Sequence, residues 1–337
     1  MKTLEKLQFR TITPLFNFSL EDENSKFTYK NKLNDCEFEL TIEKYGKGPV
    51  EYNRILAIPD DYTKKRLVSL HNDKDYGHTD YFLCCNLFYF NDVHINAENT
   101  EETNELSNSV IQAIRAVSSR GLDSRYTYIL RKPFHPLHYT NVKEEDATKS
   151  FGNCITISPL CFPHIFGPLI GELSILKKET YEVLTKEIEY FLRKKEDSRF
   201  NRLLSLSYSN YYYSFVVENA AHSFLLLIIS CDALFKKPIN EDGSNASSRI
   251  ARLLAKDKYE MKSIRKQFWS NDDSFYKIRN RIAHGDPDID LHFIKEKAKE
   301  LFHYMQSALI LLSTDIYELL DNNYYEALDN LLKKKIF

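Results

Sequence analysis

The stretch Phe275-Tyr-Lys-Ile-Arg-Asn-Arg-Ile-Ala-His-Gly285 brings an arginine, an asparagine and a histidine into one short segment, followed closely by Pro287. Arg279 offers a planar fork of donors that matches a phosphate. His284 is a side chain able to give and take a proton near neutral pH. Asn280 adds a neutral hydrogen-bonding group able to orient either neighbour. Together the three suit cleavage of an RNA phosphodiester. The 2′-OH is an internal nucleophile there, so the protein has to supply only a proton shuttle and a cation for the charge growing on phosphorus. Neither a metal nor a covalent enzyme intermediate is needed.

The segment has to be held by a helix. Ile278, Ile282 and Phe275 recur at spacings of three and four, which puts them on one buried face. Gly285 is placed to end the helix, and Pro287 forbids its continuation. His284 then sits at the helix C-terminus, where the macrodipole favours imidazolium. Taken alone, Arg-x-x-x-x-His is also what an ordinary helix cap looks like.

Upstream, Phe224 to Phe235 is an apolar helix interrupted by Asp232. A buried carboxylate needs a partner, and Arg279, Arg249 and Arg252 are the candidates. Asp232 is read as supporting Arg279 or as part of a structural ion pair. Arg249, Arg252, Lys256, Lys258, Lys262, Arg265 and Lys266 form a basic run. It reads equally as a phosphate-tracking surface or as a solvated helix face. From it, Arg249, Arg252, Lys256, Lys262 and Arg265 are taken as candidate RNA-binding residues.

The rest of the chain divides near residue 165. Before that point the pattern is strand-like. Leu7 and Phe9, then Phe16 and Phe18, lie on either side of Pro14. Residues 36–43 alternate with period two, residues 81–90 are a denser apolar run, and 126–130 and 154–157 are further strands. A helix over 101–118 interrupts them. After Pro168 the period is helical over 170–195, 200–235, 247–255, 259–283 with a break near Ser270–Asp273, 289–320 and 324–335. The fold expected is α+β. An N-terminal mixed domain with a sheet spans 1–165, and an all-α bundle of about five or six helices spans 166–337.

Three elements in order carry a likeness to a known family. They are the Phe224–Phe235 helix with its acidic residue, the Ser247–Ala255 helix, and Arg279-Asn280-x-x-Ala283-His284-Gly285. Together they resemble the HEPN superfamily, and within it the Apea-like HEPN domains, over roughly residues 170–337. The last element corresponds to that family's R-x(4–6)-H motif. The resemblance implies a helical bundle that pairs with a second copy, so that two motifs face each other across one composite cleft. It implies a metal-independent endoribonuclease leaving a 2′,3′-cyclic phosphate, of the kind found in toxins and in anti-phage, abortive-infection defence. Arg279 and His284 would be catalytic, Asn280 and Asp232 supporting, and no cofactor is implied. RNA and a homodimer or higher homo-oligomer are the partners expected, with a phage-derived or cellular trigger acting through the N-terminal domain. One departure is that Asp232 stands where Glu is frequent. A different reading is a non-catalytic dimerisation module, or one that binds nucleotide or protein.

Composition sets outer bounds. Among 337 residues, 46 basic and 48 acidic side chains nearly cancel, to a formal charge of -2. A nucleic-acid site therefore has to be a local patch and not the whole surface. The six cysteines show no paired spacing, which fits reduced thiols and a cytoplasmic home. No leader pattern opens the chain, and no apolar run is long enough for a bilayer, so no membrane partner is expected. His135, His138, Cys154, Cys161 and His164 lack zinc-like spacing and read as ordinary loop and core residues.

Overall fold

The computed structural model describes residues 7–15, 18–33, 36–44, 81–89, 106, 109–118, 127–131, 154–157, 174–193, 198–217, 219–238, 241–317 and 324–334. The architecture is α+β, with helices dominating the described residues. Two compact units emerge. One is Met1–Phe162 with Glu172–Leu192; the other is Pro163–Gly171 with Arg193–Phe337.

The first unit holds strands β1 (Leu7–Leu15), β2 (Phe18–Leu20), β3 (Lys26–Leu33), β4 (Cys36–Lys44), β5 (Tyr81–Tyr89), β6 (Thr127–Arg131), β7 (Cys154–Ile157) and β8 (Ser174–Leu176). Six of them form one sheet in the order β3-β4-β5-β1-β6-β7, and β2 pairs with β8 in a second. Every neighbouring pair in the large sheet is antiparallel; β2 and β8 run parallel. The alternation read in β4 is real. Phe38, Leu40 and Ile42 are buried, while Glu37, Glu39 and Thr41 are half-buried. In register, Ile42 faces Phe27 and Leu40 faces Tyr29 across β3. The other face pairs Lys30 with Glu39 and Lys32 with Glu37, each at 3.2 Å. Exposed pairs of this kind contribute at most about 1 kcal/mol, so the apolar face is what fixes the register. Strand β1 runs straight through Pro14 instead of breaking there. The proline faces Phe82 of β5 but lies beyond the Phe9–Ile12 stretch that β6 pairs, so β6 asks for no N–H there.

Among the described residues, two helices complete this core. Helix α1 covers residues 109–117 and buries Val110, Ile111, Ala113 and Ile114. Helix α2 is Tyr181–Leu192. The segment 170–195, expected as the first helix of the bundle, begins with β8, turns through Lys178–Thr180 and only then becomes α2. Its Leu184 and Ile188 are fully buried in the core of the sheet unit. Residues 172–192 thus belong with the first unit, which departs from the boundary drawn between 165 and 166. A helical apolar stripe specifies that a face is buried; it does not say which core takes it.

The second unit is helical. It contains α3 (Arg199–Val216), α4 (Ala220–Phe235), α5 (Gly243–Leu254), α6 (Lys258–Arg265), α7 (Phe275–Ala283), α8 (Leu291–Ile310) and α9 (Tyr324–Lys334). Residues 200–235 are therefore two helices, parted at Val217, with Asn219 capping α4 through Ala221 N and His222 N. Buried serines line the α3–α4 seam. Ser207 and Ser230 each donate to the other's carbonyl at 2.9 Å, and Ser223 donates to Ser214 O at 2.7 Å. Helix α5 starts earlier than its serines suggested; Asp242 is its N-cap. Helix α6 continues into a wide π turn, Lys266–Ser270, and ends near the expected break. Helix α8 buries Ala298, Leu301, Phe302, Met305, Ala308 and Leu309, and its Phe302 ring stacks on Tyr211 of α3 at 5.1 Å.

Candidate active site

Helix α7 is anchored at its start. Phe275 and Ile278 are fully buried, and Tyr276 nearly so. The Phe275 ring meets Phe268 edge-on at 4.8 Å and Phe224 at 6.2 Å. Ile282 is only half-buried, so the helix emerges from the core as it proceeds. Arg279, Asn280 and His284 all lie on the exposed side of that emergence. The Arg279 guanidinium donates through Nη1 to Asn280 Oδ1 at 3.0 Å, which gives Asn280 an orienting contact.

The helix ends as its sequence required. His284 is the terminal residue, its N–H bonded to Asn280 O at 3.0 Å. Gly285 takes φ +69°. Its N–H reaches Ile282 O at 3.1 Å, and the N–H of Asp286 reaches Arg281 O at 3.0 Å. This pair of bonds is a Schellman motif, and only glycine adopts its left-handed residue without strain. Arg281 and Asp286 staple the same turn at 2.6 Å. His284 is thus displayed on a closed turn and not on a fraying end.

Asp232 lies on α4 behind this surface. Its partner is neither Arg249 nor Arg252. Tyr276 donates its hydroxyl to Asp232 Oδ1 at 2.6 Å. Burial pushes the Asp232 carboxyl above its ordinary range, and the Tyr276 bond and the charges of Lys236 and Arg279 oppose that rise. Arg279 thus acts on Asp232 through its charge, one turn beyond the tyrosine that holds it. The Tyr276 hydroxyl is itself pushed well up by burial and by Cys231 and Asp232, so it stays a donor. Trp269 packs on the Tyr276 ring at 5.7 Å, and a Cβ at Gly243 would lie 2.6 Å from that ring. Tyr276 was missed in the sequence because its apolar neighbours masked it. Its one signal was a hydroxyl-bearing aromatic three residues before Arg279.

Arg249 is withdrawn from the expected RNA-binding set. It is 7% exposed. Its guanidinium bonds Glu241 at 2.5 and 2.8 Å, Asp329 at 2.7 and 3.2 Å, and Phe235 O at 2.7 Å. The hydrogen bond from Arg249 holds Glu241 below its ordinary range. Burial pushes Asp329 upward, but the bonds and charges of Arg249 and Lys237 outweigh it, and the carboxyl ends below its ordinary range. Such a clamp leaves no donor for a phosphate. Arg252, Lys256, Lys262 and Arg265 are exposed.

Among the described residues, no cluster of three or more His, Cys, Asp or Glu is placed to hold a metal. Cys154 lies in β7; His135, His138, Cys161 and His164 fall outside the described residues. No described helix is long and apolar enough to cross a membrane. No family model, curated protein or solved structure matches the chain.

Proposed function

We propose that the helical unit is a metal-independent endoribonuclease of HEPN type, working as a homodimer or higher homo-oligomer, and that its cellular role is as a toxin or anti-phage effector. The observation that carries this reading is the end of α7. Arg279, Asn280 and His284 stand exposed on a Schellman-closed turn, backed one turn earlier by the part-buried Tyr276–Asp232 bond. In the proposed reaction a neutral His284 takes the 2′-OH proton as the O2′–P bond forms. Arg279 neutralises the charge growing on the phosphate oxygens. The P–O5′ bond then breaks, and the imidazolium of a second copy's His284 protonates the leaving 5′-oxygen. The products are a 2′,3′-cyclic phosphate and a free 5′-OH.

The test is RNA cleavage in EDTA by the wild type and by His284→Ala and Arg279→Ala. Loss of cyclic-phosphate product in both variants supports the mechanism. Cleavage that survives His284→Ala sinks it. A second reading, a non-catalytic module that dimerises or binds nucleotide or protein, draws on Leu206 and Tyr213. They lie seven residues apart on α3 and are 50% and 53% exposed, which suits a pairing face with or without catalysis. Growth arrest on expression that disappears with Arg279→Ala separates the two, because a pairing module alone predicts no such dependence.

A further inference from the structure

We propose that the outer face of α6 is a binding strip for single-stranded RNA, with Tyr259 as a base-stacking platform and Lys258, Lys262, Arg265 and Lys266 as phosphate partners. The choice of RNA over other polyanions rests on the endoribonuclease reading above.

At 3.6 residues per turn, positions 258, 262, 265 and 266 recur as i, i+4, i+7 and i+8 and share one arc. All four are exposed. The opposite arc is the buried one, with Ile264 and Phe268 in the core and Met261 half-buried. Three of the nearby acids are turned to other work. The Asp257 carboxylate caps the helix through Tyr259 N and Glu260 N at 2.8 and 2.9 Å. Glu260 sits off the arc and accepts from Lys256 N at 2.7 Å. Asp272, beyond the π turn, pairs with Lys277 at 2.6 Å. Among the described residues, none of the four cations is in an ion pair, so the arc is a stripe of uncompensated positive charge.

Tyr259 flanks that stripe, next to Lys258 and three residues before Lys262, and is 84% exposed. A ring presented this openly beside cations has a specific complement. A single strand offers a phosphate for each cation and a free π-face for the ring. A duplex keeps its base faces inside the stack and offers the ring nothing equivalent. An acidic protein surface answers the charge but leaves the ring unused. The strip runs from Lys258 to Lys266, about 12 Å at 1.5 Å per residue, which suits a few nucleotides laid along the helix.

The experiment is fluorescence anisotropy of the full chain with a labelled, fully 2′-O-methylated oligouridine of twelve nucleotides, which has no 2′-OH to attack. A duplex of the same length serves as the comparison. The single strand should bind more tightly than the duplex. Base–aromatic stacking is worth about 1–3 kcal/mol per base, so Tyr259→Ala should weaken binding by a factor of about 5 to about 160, and Tyr259→Phe should restore it. Each phosphate contact adds about 0.7 to the salt slope for a single strand, so Lys262→Gln with Lys266→Gln should flatten that slope by about 1.4. The proposal is overturned if the oligouridine does not bind, if the duplex binds as tightly, or if Tyr259→Ala stays within twofold of wild type. Failure of the two readings is distinguishable. Binding that meets these expectations without any RNA cleavage in EDTA upholds the strip and removes the nuclease. His284-dependent cleavage with α6 variants that bind as wild type upholds the nuclease and removes the strip.

Discussion

Removing the Tyr276 hydroxyl should destabilise the helical unit in a way that depends on pH. The hydroxyl donates to Asp232 at 2.6 Å, and a hydrogen bond to a charged group is worth about 1.5–3 kcal/mol. Burial raises the folded pKa of Asp232 above its ordinary value of 3.8. Between the ordinary and the raised value the folded chain binds the extra proton, so this group's contribution to stability falls as pH rises through that window. Tyr276→Phe removes one of the contacts opposing the rise, so it pushes the carboxyl further up and extends the window towards neutral pH. The variant should therefore lose little at acid pH, where Asp232 is protonated, and about 1.5–3 kcal/mol at neutral pH. In an Asp232→Asn background the bond is neutral, and the same substitution should cost only about 0.5–1.5 kcal/mol. The lone tryptophan of the chain gives a local readout, since Trp269 packs against the Tyr276 ring. Urea unfolding followed by its fluorescence at several pH values, for the wild type, both single variants and the double, closes the thermodynamic cycle. A deficit that is flat with pH, or equal in both backgrounds, refutes the account of Asp232 as a charge held by Tyr276.

Arg249→Ala should cost about 3–5 kcal/mol, because it strands Glu241 and Asp329 partly buried; urea unfolding measures this, and RNA affinity should not change. The same clamp predicts acid lability of the opposite sign to Asp232. Glu241 and Asp329 are held below their ordinary values, so their contribution is present above those values and is lost as pH falls through the folded ones; an acid titration by circular dichroism checks it. Gly243→Ala should destabilise by about 1–3 kcal/mol by overpacking, and should shift Trp269 emission as the Tyr276 ring is displaced. Gly285→Ala has free space around it, so its cost, about 1–2 kcal/mol, is backbone strain alone; RNA cleavage should fall with it as His284 loses its fixed turn.

Local signals were legible in the sequence. The alternation in β4, the break near Ser270–Asp273, and the Gly285–Pro287 stop after α7 each follow from a few adjacent residues, and each stands in the structure. What the sequence hid is long-range partnership. Tyr276 and Asp232 are 44 positions apart, and Arg249 and Asp329 are 80. Composition gave Arg249 the same weight as its exposed neighbours, because a basic residue at a helical position looks alike whether it meets water or two carboxylates. The α2 stripe was ambiguous for a related reason: Leu184 and Ile188 fit any apolar surface, and only the assembled sheet shows which one receives them.

The Arg249 clamp also links parts of the chain that look unrelated. It ties α5 and the carbonyl of Phe235 to Asp329 on α9, and Tyr325 of α9 donates to Lys236 O at 2.7 Å. Phe235 and Lys236 form the last turn of the helix that carries Asp232. Helix α9 is therefore hydrogen-bonded to the last turn of α4, within one turn of the carboxylate behind Arg279, so the shape of that turn depends on residues nearly a hundred positions away as well as on its own.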